Sequence, residues 1–257
     1  MNRRGDNLYD FSFDALSELM RAWNERPFRA KQIYRQLYVN LAEGFATMTD
    51  LSESLRHRLM AETKIGDLKH TSTLEGDGGL TRKAVFELQE GVAIESVLMV
   101  YPDRATVCVS SQVGCPMGCV FCATAKLGFL QDLTSGQMIE QVLWAARELK
   151  ELDAPGAYPR KLSNVVFMGM GEPFNNYNNW WQAVERLHDP QGFNMGARRF
   201  TVSTVGLIPG IERLSGEKLP VNLAISLHAP DDALELWPFQ ERRTQSTRHR
   251  TVWSSFQ

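Results

Sequence analysis

A chain of 257 residues, 43% hydrophobic and 23% charged, has ordinary globular composition, enough for one large domain with a small one attached. Its apolar runs fall short of the roughly 18–20 residues a membrane span needs. The opening Met1-Asn-Arg-Arg-Gly-Asp6 leads into polar sequence rather than a secretory h-region, so no membrane association and a cytoplasmic location are expected. With 28 Lys plus Arg against 30 Asp plus Glu, a net charge of −2, bulk charge gives no support to a nucleic-acid partner, and any such contact needs a local basic patch.

The first stretch predicts helices. Asp14 is placed to cap one that carries Leu16, Leu19, Met20 and Trp23 on a single face. Pro27 suits the first turn of a second, with Phe28, Ile33, Leu37 and Tyr38 as its apolar positions. Ser52 is a cap for a third, bearing Leu55, Leu59 and Met60. Residues 1–63 therefore read as a small helical domain. On it, Arg21, Arg26, Arg29, Lys31 and Arg35 alternate with Trp23, Phe28, Tyr34 and Tyr38. Such a pattern suits phosphate contacts with aromatic stacking on an unpaired base, and equally an amphipathic helix pair with its aromatics inside.

Residues 64–104 read as a β-rich extension, with strands expected at Val85–Leu88 and Ala93–Tyr101 after the Gly-rich turn Glu75-Gly-Asp-Gly-Gly79. A strand at Ala105–Ser110 opens a region where strands and helices alternate. Helices are expected near 134–150, 180–188 and 208–214, and strands at 164–168, 200–203 and 221–226. This order predicts an α/β fold with a parallel sheet over 105–234, either open or a barrel segment, whose chemistry lies at the strands' C-terminal ends. The last 23 residues, 235–257, lack periodicity and hold four Arg against two Glu, the pattern of a disordered tail.

All four cysteines fall between Cys108 and Cys122, which reads as a metal or redox site rather than a disulfide framework. Cys115, Cys119 and Cys122 form a C-x3-C-x2-C loop directly after the 105–110 strand. Three thiolates on one short loop can ligate three irons of a 4Fe–4S cluster and leave the fourth open to S-adenosylmethionine (SAM), whose one-electron cleavage yields a hydrogen-abstracting radical. Phe121, inside the loop, is suited to lie beside an adenine. The spacing favours iron–sulfur over the alternative, a structural zinc site with Cys108 as fourth ligand.

These residues resemble a known family. Ala105-Thr-Val-Cys-Val-Ser-Ser-Gln-Val-Gly-Cys115, the cysteine loop, Val166-Phe-Met-Gly-Met-Gly-Glu-Pro173, Thr201-Val-Ser-Thr204 and Ala224-Ile-Ser-Leu-His-Ala-Pro230 are similar to motifs of the RlmN/Cfr family of radical SAM enzymes, which methylate C2 or C8 of an RNA adenosine. Pro27-Phe-Arg-Ala-Lys-Gln-Ile33 resembles the start of that family's helical N-terminal domain. Overall likeness favours the C2 branch.

The resemblance implies a partial (β/α) radical-SAM barrel of about four strands with a small helical domain. It implies a 4Fe–4S cluster on Cys115, Cys119 and Cys122, and SAM held by Gly171, Glu172, Ser203, Ser226, Leu227 and His228. Its substrates would be 23S rRNA and tRNA, and a one-electron reductant such as flavodoxin would feed the cluster. In the family mechanism a cysteine near the C-terminus carries the methyl group to the adenine. Glu95 matches the general base and Cys108 the thiol that frees the product by forming a disulfide. Glu95 lies in the apolar run Val92-Ala-Ile-Glu-Ser-Val-Leu-Met-Val100, where a half-buried carboxylate would be basic enough for proton abstraction, and where one pointing to water would be ordinary.

No cysteine follows Cys122, so the methyl-carrying residue has no counterpart, and the likeness stops soon after Asp232. The expectation is a truncated or frame-shifted member that does not turn over as it stands. The competing expectation is a non-catalytic iron–sulfur or zinc module that binds RNA.

Overall fold

A computed structural model describes residues 5–88, 91–152 and 158–227 of the chain. The expected tail at 235–257 and the predicted SAM contact His228 lie outside the described residues.

Three helices build the N-terminal part: α1 (Phe13–Ala22), α2 (Phe28–Tyr38) and α3 (Glu53–Glu62). Ser12, not Asp14, caps α1, its hydroxyl accepting the Ala15 N–H at 3.1 Å. Asp14 falls instead within the first turn, where its charge favours the helix dipole. Ser52 caps α3 as expected, through the Leu55 N–H. Leu16, Leu19, Met20, Ile33, Leu37, Leu55 and Leu59 are buried together, as their helical spacing requires. Two short strands, β1 (Asp6–Asn7) and β2 (Thr63–Lys64), pair in parallel and bring the two ends of this part together.

The helical part is fastened to the rest by the segment just before α1. The core strands and helices that follow are β3 (Lys69–Gly76), β4 (Thr81–Glu87), β5 (Ala93–Val100), β6 (Ala105–Cys108), β7 (Gln112–Gly114), α4 (Ala123–Lys126), β8 (Phe129–Asp132), α5 (Ser135–Glu151), β9 (Asn164–Phe167), α6 (Tyr177–His188), β10 (Phe200–Thr204), α7 (Ile208–Ser215) and β11 (Asn222–Ile225). Asp10 accepts from the Gly136 N–H at 2.7 Å and from the Ser135 and Thr134 hydroxyls, so a carboxylate from outside the helix sits on the positive N-terminal end of α5. Arg186 of α6 donates to the Tyr9 carbonyl at 3.1 Å, and Asn7 donates to Glu140 of α5 at 2.8 Å.

Seven strands form one open sheet in the order β11-β10-β9-β6-β5-β4-β3. β6, β9, β10 and β11 run parallel, as the alternation of strands and helices predicts, while β3, β4, β5 and β6 pair antiparallel. The extension thus continues the parallel sheet through the β5–β6 pair. β3 escapes a pattern reading because, among the described residues, it pairs only with β4, and seven of its eight residues are exposed.

One face of the sheet buries Ile94, Leu98, Val107, Val165, Phe167, Phe200 and Val202. Helices α5 and α6 cover that face: Trp144 of α5 meets Phe86 edge-on, and Trp180 of α6 meets Phe167 edge-on, with ring centroids 5.6 and 5.9 Å apart. The long helix α5 opens with a capping box, Thr134 and Gln137 each bonding the other's backbone N–H. The opposite face carries the period-2 partners of those buried residues and, among the described residues, no helix.

Candidate active site

Strand register sets out the uncovered face. Val97 pairs with Cys108, Cys108 with Val166, Val166 with Thr201 and Ser203 with Ala224, and paired residues point the same way. Glu95, two residues from Val97, therefore emerges beside Cys108 on a neighbouring strand, and Ser203 lies further along the same face. The structure brings these three candidates onto one surface at the C-terminal ends of the parallel strands.

Glu95 faces the open side of the sheet: its side chain is 48% exposed and its Oε1 lies 2.8 Å from Lys83 Nζ. Cys108 is the last residue of β6, and burial pushes its thiol above the usual range, against a smaller lowering by the Met168 backbone. Ser203 and Ser226 share a 2.9 Å hydroxyl–hydroxyl hydrogen bond across β10 and β11, and Leu227 is exposed just beyond.

After β6 the chain forms the hairpin β7–β8, whose tip contains the three cysteines and α4. The Cys115 N–H donates to the Gly128 carbonyl at 3.0 Å and closes the tip. Gly114 makes this possible: its φ is +74°, and a Cβ there would stand 1.7 Å from the Gly128 oxygen. Cys115 and Cys119 are buried, Cys122 is partly so, and none of the three forms a disulfide among the described residues. Burial, followed by the neighbouring charges of Cys115 and Cys122, pushes the Cys119 thiol up to about 11. The three thiols therefore sit within electrostatic reach of one another. Among the described residues, however, no three His, Cys, Asp or Glu side chains gather as ligands of a single metal ion. Three thiols on one short loop are a donor set that suits an iron–sulfur cluster.

Facing the loop is the turn after β9. Gly171 has a φ of +102°, and a Cβ there would lie 2.6 Å from the side chain of Gln112. Glu172 is 3% exposed, and its oxygens accept the N–H groups of Phe174 at 3.1 Å and Val205 at 3.0 Å. Burial raises its pKa against those hydrogen bonds, which lower it. The carboxylate thereby joins the turn after β9 to the turn after β10. Asn175 adds a contact to the cysteine loop, its Nδ2 3.5 Å from the Met117 sulfur.

Sequence reading passed over Ser110, Ser111 and Gln112, three consecutive polar residues that the fold buries directly before the cysteine loop. Ser110 donates to the Glu95 carbonyl at 2.6 Å and accepts the Met170 N–H at 2.9 Å. Their signal was available: a polar triplet at the end of an apolar strand requires buried partners. On the N-terminal helices the fold decides between two readings. Trp23, Tyr34 and Tyr38 are core residues, leaving Phe28 as the exposed aromatic of the set, with the Arg29 guanidinium 4.9 Å from its ring centre. The amphipathic reading holds for the other three.

Comparison with known proteins bears on this arrangement. A family model for the ribosomal RNA large subunit methyltransferase N-terminal domain matches residues 6–65. The chain is 54% identical over 268 residues to "Probable dual-specificity RNA methyltransferase RlmN" of Roseiflexus sp., covering 92% of this chain and 67% of that protein. The chain belongs to the RlmN family. A relative of the same name in Chloroflexus aurantiacus is 60% identical over 237 residues, 91% of this chain and 62% of its own length. The crystal structure of a radical SAM methyltransferase from Sphaerobacter thermophilus superposes with a TM-score of 0.87 at 44% identity, over 93% of this chain and 68% of that one. This RlmN-family chain thus spans about two thirds of the length of the relatives it matches. The expected α/β fold is that of a solved radical SAM methyltransferase, with the sheet open among the described residues.

Proposed function

We propose that this chain carries the SAM-cleaving portion of an RNA methyltransferase that modifies C2 of an adenosine in 23S rRNA and tRNA. The observation that supports it most is the C-x3-C-x2-C hairpin, held at the end of β6 opposite the Gly171–Glu172 turn, in a fold shared with a radical SAM methyltransferase.

Cys115, Cys119 and Cys122 would hold a 4Fe–4S cluster. Gly171, Glu172, Ser203, Ser226, Leu227 and His228 would hold SAM, with the Glu172 carboxylate suited to its ammonium group. Bound there, cluster and SAM supply a hydrogen-abstracting radical once a reductant of the flavodoxin type delivers an electron. The remaining work falls to side chains of the open face. Glu95 takes the proton from the adenine ring, with Lys83 holding the carboxylate in place. Cys108 acts as the thiol that releases product. Its burial keeps it protonated until it is needed, which protects it from premature oxidation. RNA phosphates would be met by Arg26, Arg29 and Lys31, with Phe28 available for stacking.

The test is anaerobic reconstitution with iron and sulfide, followed by SAM cleavage and transfer of isotope-labelled methyl to rRNA and tRNA. Release of 5′-deoxyadenosine is expected from these 257 residues. Methyl transfer is expected only when a relative's C-terminal third is appended, because no thiol follows Cys122 to carry the group. A colourless protein holding one zinc, with no SAM cleavage, would instead support a non-catalytic RNA-binding module.

A further inference from the structure

The cysteine loop and the Glu172 turn come from different strands, so a ligand that touches both depends on the distance between them. The buried side chain of Gln112 bridges them, beside Asn176, whose Nδ2 donates to the Ser111 and Leu133 carbonyls that flank the hairpin. Gln112 is 1% exposed, and its carbonyl Oε1 accepts the Glu172 backbone N–H at 2.8 Å. Its Nε2 donates to Asp132 Oδ1 at 2.7 Å, on the return strand β8 of the cysteine hairpin. Its own N–H donates to the Met170 carbonyl at 3.1 Å, and its Cβ and Cγ fill the space that the missing side chain of Gly171 leaves open.

The chemistry of the two partners determines which way the amide points. A backbone N–H can only donate and a carboxylate can only accept, so the amide must present oxygen to Glu172 and nitrogen to Asp132. Glutamate, of the same shape, would satisfy Glu172 but set a carboxylate against Asp132. Leucine would leave the buried Glu172 N–H unpaired.

We infer that Gln112 is a positioning residue that sets the spacing between the cysteine hairpin and the Gly171–Glu172 turn, and so the fit of SAM across them. The inference rests on the proposed SAM site. It differs from that proposal in assigning a role to a residue outside the proposed cluster and SAM contacts.

Two readouts separate the inference from the reading beneath it. In the cluster-free chain, amide exchange at Met170, Gly171 and Glu172 should quicken in Gln112→Glu, because two facing carboxylates at 112 and 132 push the new side chain and the turn it holds out of place, while the Cys115 amide, bonded to Gly128, stays protected. In the reconstituted chain, Gln112→Glu should retain the parent's iron content but bind SAM about tenfold or more weakly, the scale of a lost buried hydrogen bond. The double substitution Gln112→Glu with Asp132→Asn restores a donor opposite the new acceptor and should return both readouts to within about threefold of the parent. Unchanged exchange at 170–172, undiminished SAM affinity, loss of iron in Gln112→Glu, or failure of the double variant to recover would each overturn the inference. A parent chain that takes up no iron would overturn the proposed function instead, and amide exchange with its rescue would then decide the role of Gln112.

Discussion

Lys83 and Glu95 form an ion pair, Nζ to Oε1 at 2.8 Å, across two antiparallel strands on the face of the sheet that none of the described helices covers. With both side chains more than a third exposed, the pair adds little to stability, so its significance lies in where it holds the carboxylate. Beside Cys108 and at the open face, Glu95 can meet a base that enters from solvent. In a chain extended by a relative's C-terminal third, Glu95→Gln should lower methyl transfer by about 100-fold or more while leaving SAM cleavage within about twofold, the pattern of a lost general base. Covalent protein–RNA adduct should accumulate on denaturing gels. Unaltered product formation would return Glu95 to an ordinary surface carboxylate.

Cluster uptake should follow the hairpin cysteines and no others. Cys115→Ala, Cys119→Ala and Cys122→Ala should each abolish the brown colour of the reconstituted protein and its iron, measured colorimetrically against about four irons per parent chain. Cys108→Ala, at the end of β6, should keep both. Loss of iron in Cys108→Ala would mean a four-cysteine site.

Gly114→Ala tests the hairpin without touching a thiol. The added Cβ would collide with the Gly128 carbonyl in a backbone conformation that disfavours side chains, so the hairpin tip must open. Iron uptake should fall to less than about a tenth of the parent, with global stability lowered by no more than roughly 3 kcal/mol because the seven-stranded sheet lies elsewhere. Full iron content in a folded Gly114→Ala variant would show that the tip closes in another way.

Glu140 makes stability depend on pH. Burial lifts its carboxyl from 4.5 to about 7, outweighing the lowering by the Leu68 and Asp67 N–H groups and by Asn7. Between those values the folded chain retains a proton that the unfolded chain has lost. The stability it contributes is complete below about pH 4.5 and disappears as pH rises to about 7, roughly 3 kcal/mol in all. Glu172 is raised as well and acts with the same sign. Urea unfolding midpoints should therefore fall as pH rises through that window, and the fall should be shallower in Glu140→Gln. An identical slope in the variant would remove Glu140 from the account.

Much of this protein was legible without coordinates. Helices α1, α2, α3, α5 and α6 and strands β4, β5, β6, β9, β10 and β11 all follow from local period, because an amphipathic face writes itself into neighbouring positions. The C-x3-C-x2-C spacing is equally local, three thiols within eight residues, which is what made the loop stand out as a ligand candidate. What only tertiary structure decided depends on residues far apart in the chain. Strand β3 has no pattern of its own and exists because β4 pairs with it. Trp23, Tyr34 and Tyr38 alternate with basic residues in sequence, yet packing of α1 on α2 turns them into the core. Glu95 could face either way along an apolar strand, and strand register placed it beside Cys108 on the open side. Gln112 meets its partners 20 and 60 residues later, Asp132 and Glu172. A periodicity reports which face of an element is apolar, whereas the partner of a buried polar group is set only when distant strands come into register.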